Sequence, residues 1–278
     1  MMIKPIEELT FTDDYMFGRV MQNPEICKGL LERLLEIKIE KVEYPTLQKS
    51  ISQFYETKGI RLDVYVKDSD KVFDIEIQNN PQIDLPKRTR YYQSMVDMDN
   101  LLKGQDYSDL KESFIIFICQ FDPFNQNKPC YTFKNICLEN NQLELNDKTT
   151  KIFFNSTAYT KEKDVEISSI LEYIITKVPS SNFTKRLNSL VEESKLDNKF
   201  RSDYFAMNLH DRDIKKQAYN DGLCEGIQQG ISKGIYEKSI ETAKNMLLAS
   251  LGTMEQIAQI TNLPLQIVED LAKTNKEI

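Results

Sequence analysis

The chain has 278 residues, 40% of them hydrophobic and 28% charged, enough for one large domain or two small ones with an ample core. A formal net charge of −7 argues against a protein whose main task is to coat nucleic acid, and no apolar run approaches the roughly 20 residues that a membrane helix needs. The lone histidine, His210, would have to carry any Ser-His-Asp or Cys-His chemistry, and Cys27, Cys119, Cys130, Cys137 and Cys224 lack zinc-ligand spacing. His210 is read as structural. An odd number of cysteines without CxxC, and an N-terminus without a long apolar stretch, lead to the expectation of a cytoplasmic protein with free thiols.

In chain order, Thr12 is placed to cap a helix that Asn23-Pro24 interrupts and that resumes to about Ile37. Strands are expected near 38–43 and 51–56. Two clearer strands follow, 60–66 and 73–78, each alternating apolar with polar as in a strand buried on one face. Ile60, Leu62, Val64 and Val66 share one side of the first, and Arg61, Asp63, Tyr65 and Lys67 the other. In the second, Phe73, Ile75 and Ile77 point inward and leave Asp74, Glu76 and Gln78 on the opposite side.

A hairpin turn centred on Ser69-Asp70 sets Asp63 opposite Glu76 and Arg61 opposite Gln78. Directly opposed side chains have Cβ atoms about 5 Å apart. At an effective dielectric of about 20, two carboxylates there repel by about 3 kcal/mol. A hard divalent cation bound through oxygen offsets that repulsion, so the pair points to a metal site. The bland alternative is a pair of acids on a solvated sheet face.

Pro81 and Pro86 lead into a helix over 87–102, on which Tyr91, Met95, Met98 and Leu102 have core spacing. The run 114–119 reads as a buried central strand, with further strands at 131–138 and 151–155. Helices are expected at 165–176, 183–195 and 200–207. Gly222, Gly226, Gly230 and Gly234 recur every fourth residue, as a hinge or, preferably, as a helical pairing surface. A helix over 236–251, the capping-box spacing of Thr253 and Gln256, and a last helix over 265–273 echo a helix-turn-helix. The would-be reading helix carries two acids, Glu269 and Asp270, and no base before Lys273, which favours a protein-contact bundle over DNA reading.

Asp63 followed by Glu76-Ile77-Gln78, with Thr12-Asp-Asp-Tyr-Met-Phe17, Gly59-Ile-Arg-Leu-Asp63, and Arg88, Tyr91 and Tyr92 around them, resembles the PD-(D/E)XK nuclease superfamily. More narrowly it resembles the Rpn-type (recombination-promoting nuclease, transposase-like) branch, in which Gln stands where Lys is usual. The resemblance covers about residues 10–160. It implies an α/β fold with a mixed sheet, a restriction-endonuclease-like core over 1–160, a helical elaboration over 161–220, and a Gly-striped associating tail over 221–278. It further implies a Mg²⁺-dependent (or Mn²⁺- or Ca²⁺-dependent) DNA endonuclease of recombination, mobile elements or defence, acting as a homodimer through its C-terminal helices.

On that resemblance Asp63, Glu76 and Gln78 are catalytic, with Gln78 orienting the attacking water, and Asp63, Glu76 and the Ile77 carbonyl hold the metal. Asp14 matches an acid near the end of the first helical segment, where it either joins the metal set or caps the helix. Lys58, Lys87, Arg88 and Arg90 are candidate phosphate contacts or members of a solvated face. The alternative is a weak or inactive nuclease fold serving as an interaction module, which the acidic charge and the uncharged Gln78 favour.

Overall fold

The computed structural model describes residues 4–40, 42, 46–51 and 60–274. The chain divides into two compact units, one ending at Tyr204 and one beginning at Phe205. In the first unit, β2 (Ile60–Lys67) and β3 (Lys71–Gln78) form the expected hairpin, with Val64 facing Ile75 and Tyr65 facing Asp74. The Asp68 N–H donates to the Lys71 carbonyl at 2.9 Å and closes the turn around Ser69-Asp70. One further step along this register brings Asp63 level with Glu76.

The hairpin belongs to a six-stranded mixed sheet. β1 (Thr46–Ile51) pairs antiparallel with β2 at one edge. β3 runs parallel to β4 (Glu112–Cys119), and β4 runs parallel to β6 (Thr149–Asn155). β5 (Cys130–Phe133) closes the other edge antiparallel to β6. Helix α1 (Asp14–Met21) lies against β2 and packs on α2 (Pro24–Leu35). The crossover from β3 to β4 is α3 (Leu85–Asn100), and α4 (Val165–Thr176) and α5 (Asn182–Leu196) complete the unit.

Several expectations change here. The first strand is β1, whereas 38–40 and 42 carry no strand and 52–59 lie outside the described residues. Glu36 ends α2 in the left-handed region (φ 53°), and the chain then turns back. Ile39 is buried while its N–H donates to the Glu32 carboxylate at 2.9 Å, which uses the backbone donor a strand would need. α1 starts at Asp14, one residue after Asp13 at the cap position, and Thr12 is buried instead. β5 stops at Phe133; beyond it Ile136 makes only an isolated bridge to Glu144.

The largest change concerns β3, which is buried on both faces from Val72 to Gln78. α3 folds back over the side that carries Asp74, Glu76 and Gln78. Its Leu85, Tyr92, Met95 and Val96 pack with Val72, Ile115, Phe117 and Phe153. The inward stripe of α3 is Leu85, Thr89, Tyr92, Met95 and Val96; Met95 is buried as expected, whereas Tyr91, Met98 and Leu102, also expected in the core, are exposed.

The expected separate helices that follow α5 are one. α6 (Asn198–Leu248), whose first residues belong to the first unit and the rest to the second, runs unbroken for 51 residues through all four glycines, with 200–207 and most of 236–251 inside it. Each interior glycine costs about 1 kcal/mol relative to alanine, a loss that a long helix tolerates because propagation is cheap once nucleated. α7 (Met254–Thr261) starts at the predicted capping box, in which Thr253 and Gln256 bond reciprocally, and Asn262 ends it in the left-handed region. α8 (Leu265–Thr274) follows, and Ala243, Ile257, Ala258, Leu263 and Val268 form the core of this unit.

Leu223, Ile227, Ile231 and Ile235, each one residue after a glycine, are 50–63% exposed. A Cβ built on any of the four glycines would meet no atom within 4 Å.

Candidate active site

The two acids predicted to oppose each other each accept from a backbone N–H of the facing strand. Glu76 Oε1 accepts from the Asp63 N–H at 2.9 Å, and Asp63 Oδ2 accepts from the Ile77 N–H at 3.3 Å. Glu76 is fully buried and Asp63 half-buried. Among the described residues one cation reaches in, from the first turn of α3. Arg88 Nη2 pairs with Glu76 Oε2 at 2.8 Å, and its Nη1 donates to Gln78 Oε1 at 3.3 Å and to Gln82 Oε1 at 2.9 Å. Its Nε donates to the Tyr92 hydroxyl at 2.8 Å, one helical turn on, and the guanidinium carbon stands 4.9 Å from the Tyr92 ring centroid. Arg88, expected at phosphate or on a solvated face, has its guanidinium on Glu76 and Gln78. The cause is the position of α3, which sets Arg88 directly over the buried acid.

Asp14, Asp63, Ile77, Gln78 and Arg88 line one polar recess of about 210 Å³. Asp14 is exposed there, as the first residue of α1 and not near the end of that helix. Lys87 and Arg90 are exposed on α3 and do not line the recess. Lys58 lies outside the described residues, as does the side chain of His210. A larger recess of about 360 Å³ between α1 and α5 is walled by Arg19 and Asp197, which pair at 3.8 Å, and has no buried acid in its lining.

A polar chain, missed in the sequence, holds the α1 end of the recess. Asn79 Nδ2 donates to the Thr12 carbonyl at 2.9 Å, Gln120 Nε2 donates to Asn79 Oδ1 at 2.5 Å, and Lys177 Nζ donates to Thr12 Oγ1 at 2.8 Å. Burial lowers the Lys177 pKa to about 8, against the pull of Asp13. Thr12 and Lys177 are 165 residues apart, so no local spacing could have joined them.

Asp74 was also missed. It lies on the same face of β3 as Glu76, is fully buried, and has no hydrogen-bond partner among the described residues on either carboxylate oxygen. Burial, and then the charge of Asp63, push its carboxyl well above the usual range. Burial also pushes Glu76 upward, followed by the charges of Asp74 and Asp63, while the Asp63 N–H and Arg88 pull it down. The hydrogen bonds decide which carboxyl holds the proton: Glu76 accepts from two donors and Asp74 from none, so Asp74 is the neutral partner.

The chemistry of this donor set fits a hard divalent cation. Three carboxyl groups, Asp63, Asp74 and Glu76, face one guanidinium, an excess of two negative charges when all are ionised, and all the donors are oxygen. Among the described residues no three acids, cysteines or histidines converge on one point as they stand.

A sequence model described as PD-(D/E)XK nuclease family transposase matches residues 10–176, from just before α1 to the end of α4. No curated protein and no solved structure matches the chain.

Proposed function

Because this chain belongs to the PD-(D/E)XK nuclease family transposases, we propose that it is a metal-dependent DNA endonuclease whose site is the Asp63–Glu76 face of the hairpin. The observation that carries this reading is the Asp63 and Glu76 pair on facing strands beside one polar recess, in whose lining Arg88 is the one cation among the described residues. Asp63, Glu76 and the Ile77 carbonyl would hold Mg²⁺ or Mn²⁺, with Asp14 at the mouth. When bound, such an ion supplies positive charge against a phosphate and eases the ionisation of water.

The chain's own groups do the rest. The Gln78 amide, held by Arg88, orients the attacking water beside the scissile phosphate. Lys87 and Arg90, exposed on α3, are in reach of solvent to meet the DNA backbone, and Lys58 is proposed for the same role. Water's oxygen joins phosphorus as the bond to the leaving oxygen breaks, which leaves a 5′-phosphate. Calorimetric titration of the cation-free protein with Mn²⁺ tests the metal reading: saturable uptake is expected, and a folded protein that takes up neither Mn²⁺ nor Mg²⁺ contradicts it.

The exposed Leu223, Ile227, Ile231 and Ile235 stripe favours association of two copies along α6, where the adjoining glycines allow close backbone approach. Light scattering is expected to give twice the chain mass for wild type and the single-chain mass for Ile227→Glu/Ile231→Glu; a wild-type monomer rules the homodimer out. No helix among the described residues is long and apolar enough to cross a membrane.

A further inference from the structure

Behind the α1 end of the recess stands a half-buried ammonium with no acid to balance it. Lys177 follows α4 in the left-handed region (φ 63°), one residue past the family match. An ammonium has three donors, and here all three go to neutral oxygens: Thr12 Oγ1 at 2.8 Å, Gln120 Oε1 at 3.4 Å and the Ile174 carbonyl. Among the described residues Lys177 makes no ion pair. The charges that act on it, Asp13 and Lys4, are paired with each other at 2.7 Å. Burying a charge without a counter-charge is costly, and a methionine would fill similar space at lower cost.

The Ile174 bond caps the end of α4. The other two bonds reach the residues that hold the recess. Thr12 leads into α1, and its carbonyl accepts from Asn79 Nδ2 at 2.9 Å. Gln120 follows β4; its N–H donates to the Gln78 carbonyl at 2.9 Å, and its side chain donates to Asn79 Oδ1. Asp14, Gln78 and Asn79 all line the recess, whereas Lys177 does not.

We propose that Lys177 is a positioning residue for DNA cleavage, its ammonium clamping Thr12 to Gln120 and so fixing Asp14, Gln78 and Asn79 in the recess. The inference rests on the nuclease reading above and deepens it. No neutral side chain offers three donors at one point, and a guanidinium spreads its own over a planar fork. That need accounts for a buried charge that no acid balances.

The test is steady-state cleavage of a labelled duplex with Mg²⁺ by full-length wild type, Lys177→Met, Thr12→Val and the double variant, at a pH below the Lys177 value of about 8. Misplacement by about 1 Å can cost about a hundredfold in rate. Lys177→Met is therefore expected to lower kcat about tenfold to a hundredfold, and Thr12→Val about threefold or more, with KM within about twofold of wild type. Because the two share one contact, the double variant is expected to lose no more than about twofold beyond the worse single one. A purely structural lysine would lower the melting temperature and leave the kcat of the folded protein unchanged. A wild-type kcat in Lys177→Met overturns the inference, as does one in Thr12→Val where Lys177→Met does not fold. Losses that multiply in full overturn the shared clamp. Wild type that cleaves no DNA would instead bring down the nuclease reading and this inference with it.

Discussion

Arg88→Ala is expected to lower folding stability by about 3 kcal/mol in the absence of divalent cations, read from urea denaturation. Glu76 is fully buried and its ion pair with Arg88 measures 2.8 Å, so deleting the guanidinium strands a charge inside the protein. Breaking a buried pair in this way costs roughly 3–5 kcal/mol, and the lower end applies because Arg88 remains 25% exposed. The substitution also removes the donors to Gln78, Gln82 and Tyr92. Arg88→Lys should recover only part of the loss, since a point charge cannot serve four acceptors in a planar fork. A loss below about 1 kcal/mol would place the pair among surface salt bridges and contradict its structural role.

Glu76→Gln is expected to separate stability from activity. The amide keeps the shape of the side chain but has one acceptor oxygen, so it can keep only one of the two bonds, from Asp63 N–H or from Arg88, while the buried charge disappears. The fold should be retained, with stability lower by about 1–3 kcal/mol for the donor left unpaired. DNA cleavage should fall by a hundredfold to a thousandfold, on the order of the loss when one group that stabilises transition-state charge is removed. Initial rates on a labelled duplex with Mg²⁺ measure it, and a variant cleaving at the wild-type rate would exclude Glu76 from the site.

How far the sequence speaks depends on the range of each interaction. The hairpin was legible because alternation and a polar turn are local, and its register followed from the turn, as Tyr65 against Asp74 demonstrates. Burial of Asp74, Glu76 and Gln78 was not legible. Alternation marks one apolar face, and whether a helix covers the other depends on where the crossover lands. The same packing turned Arg88 from a presumed surface cation into the partner of Glu76. The continuity of α6 was only partly legible: the glycine stripe read preferably as helical, but nothing local joined it to 200–207 and 236–251, whereas helix propagation is cooperative over its 51 residues.

Cleavage of supercoiled plasmid by wild type and Asp63→Ala, purified in parallel and assayed with Mg²⁺ or Mn²⁺, tests the central claim most directly. Asp63 lines the recess and bonds the Ile77 backbone, so its removal takes away the proposed metal donor at a half-buried position. Metal-dependent nicking by wild type that disappears in the variant is the predicted result. Equal cleavage by both proteins, or none by a folded wild type with either metal, would contradict the account.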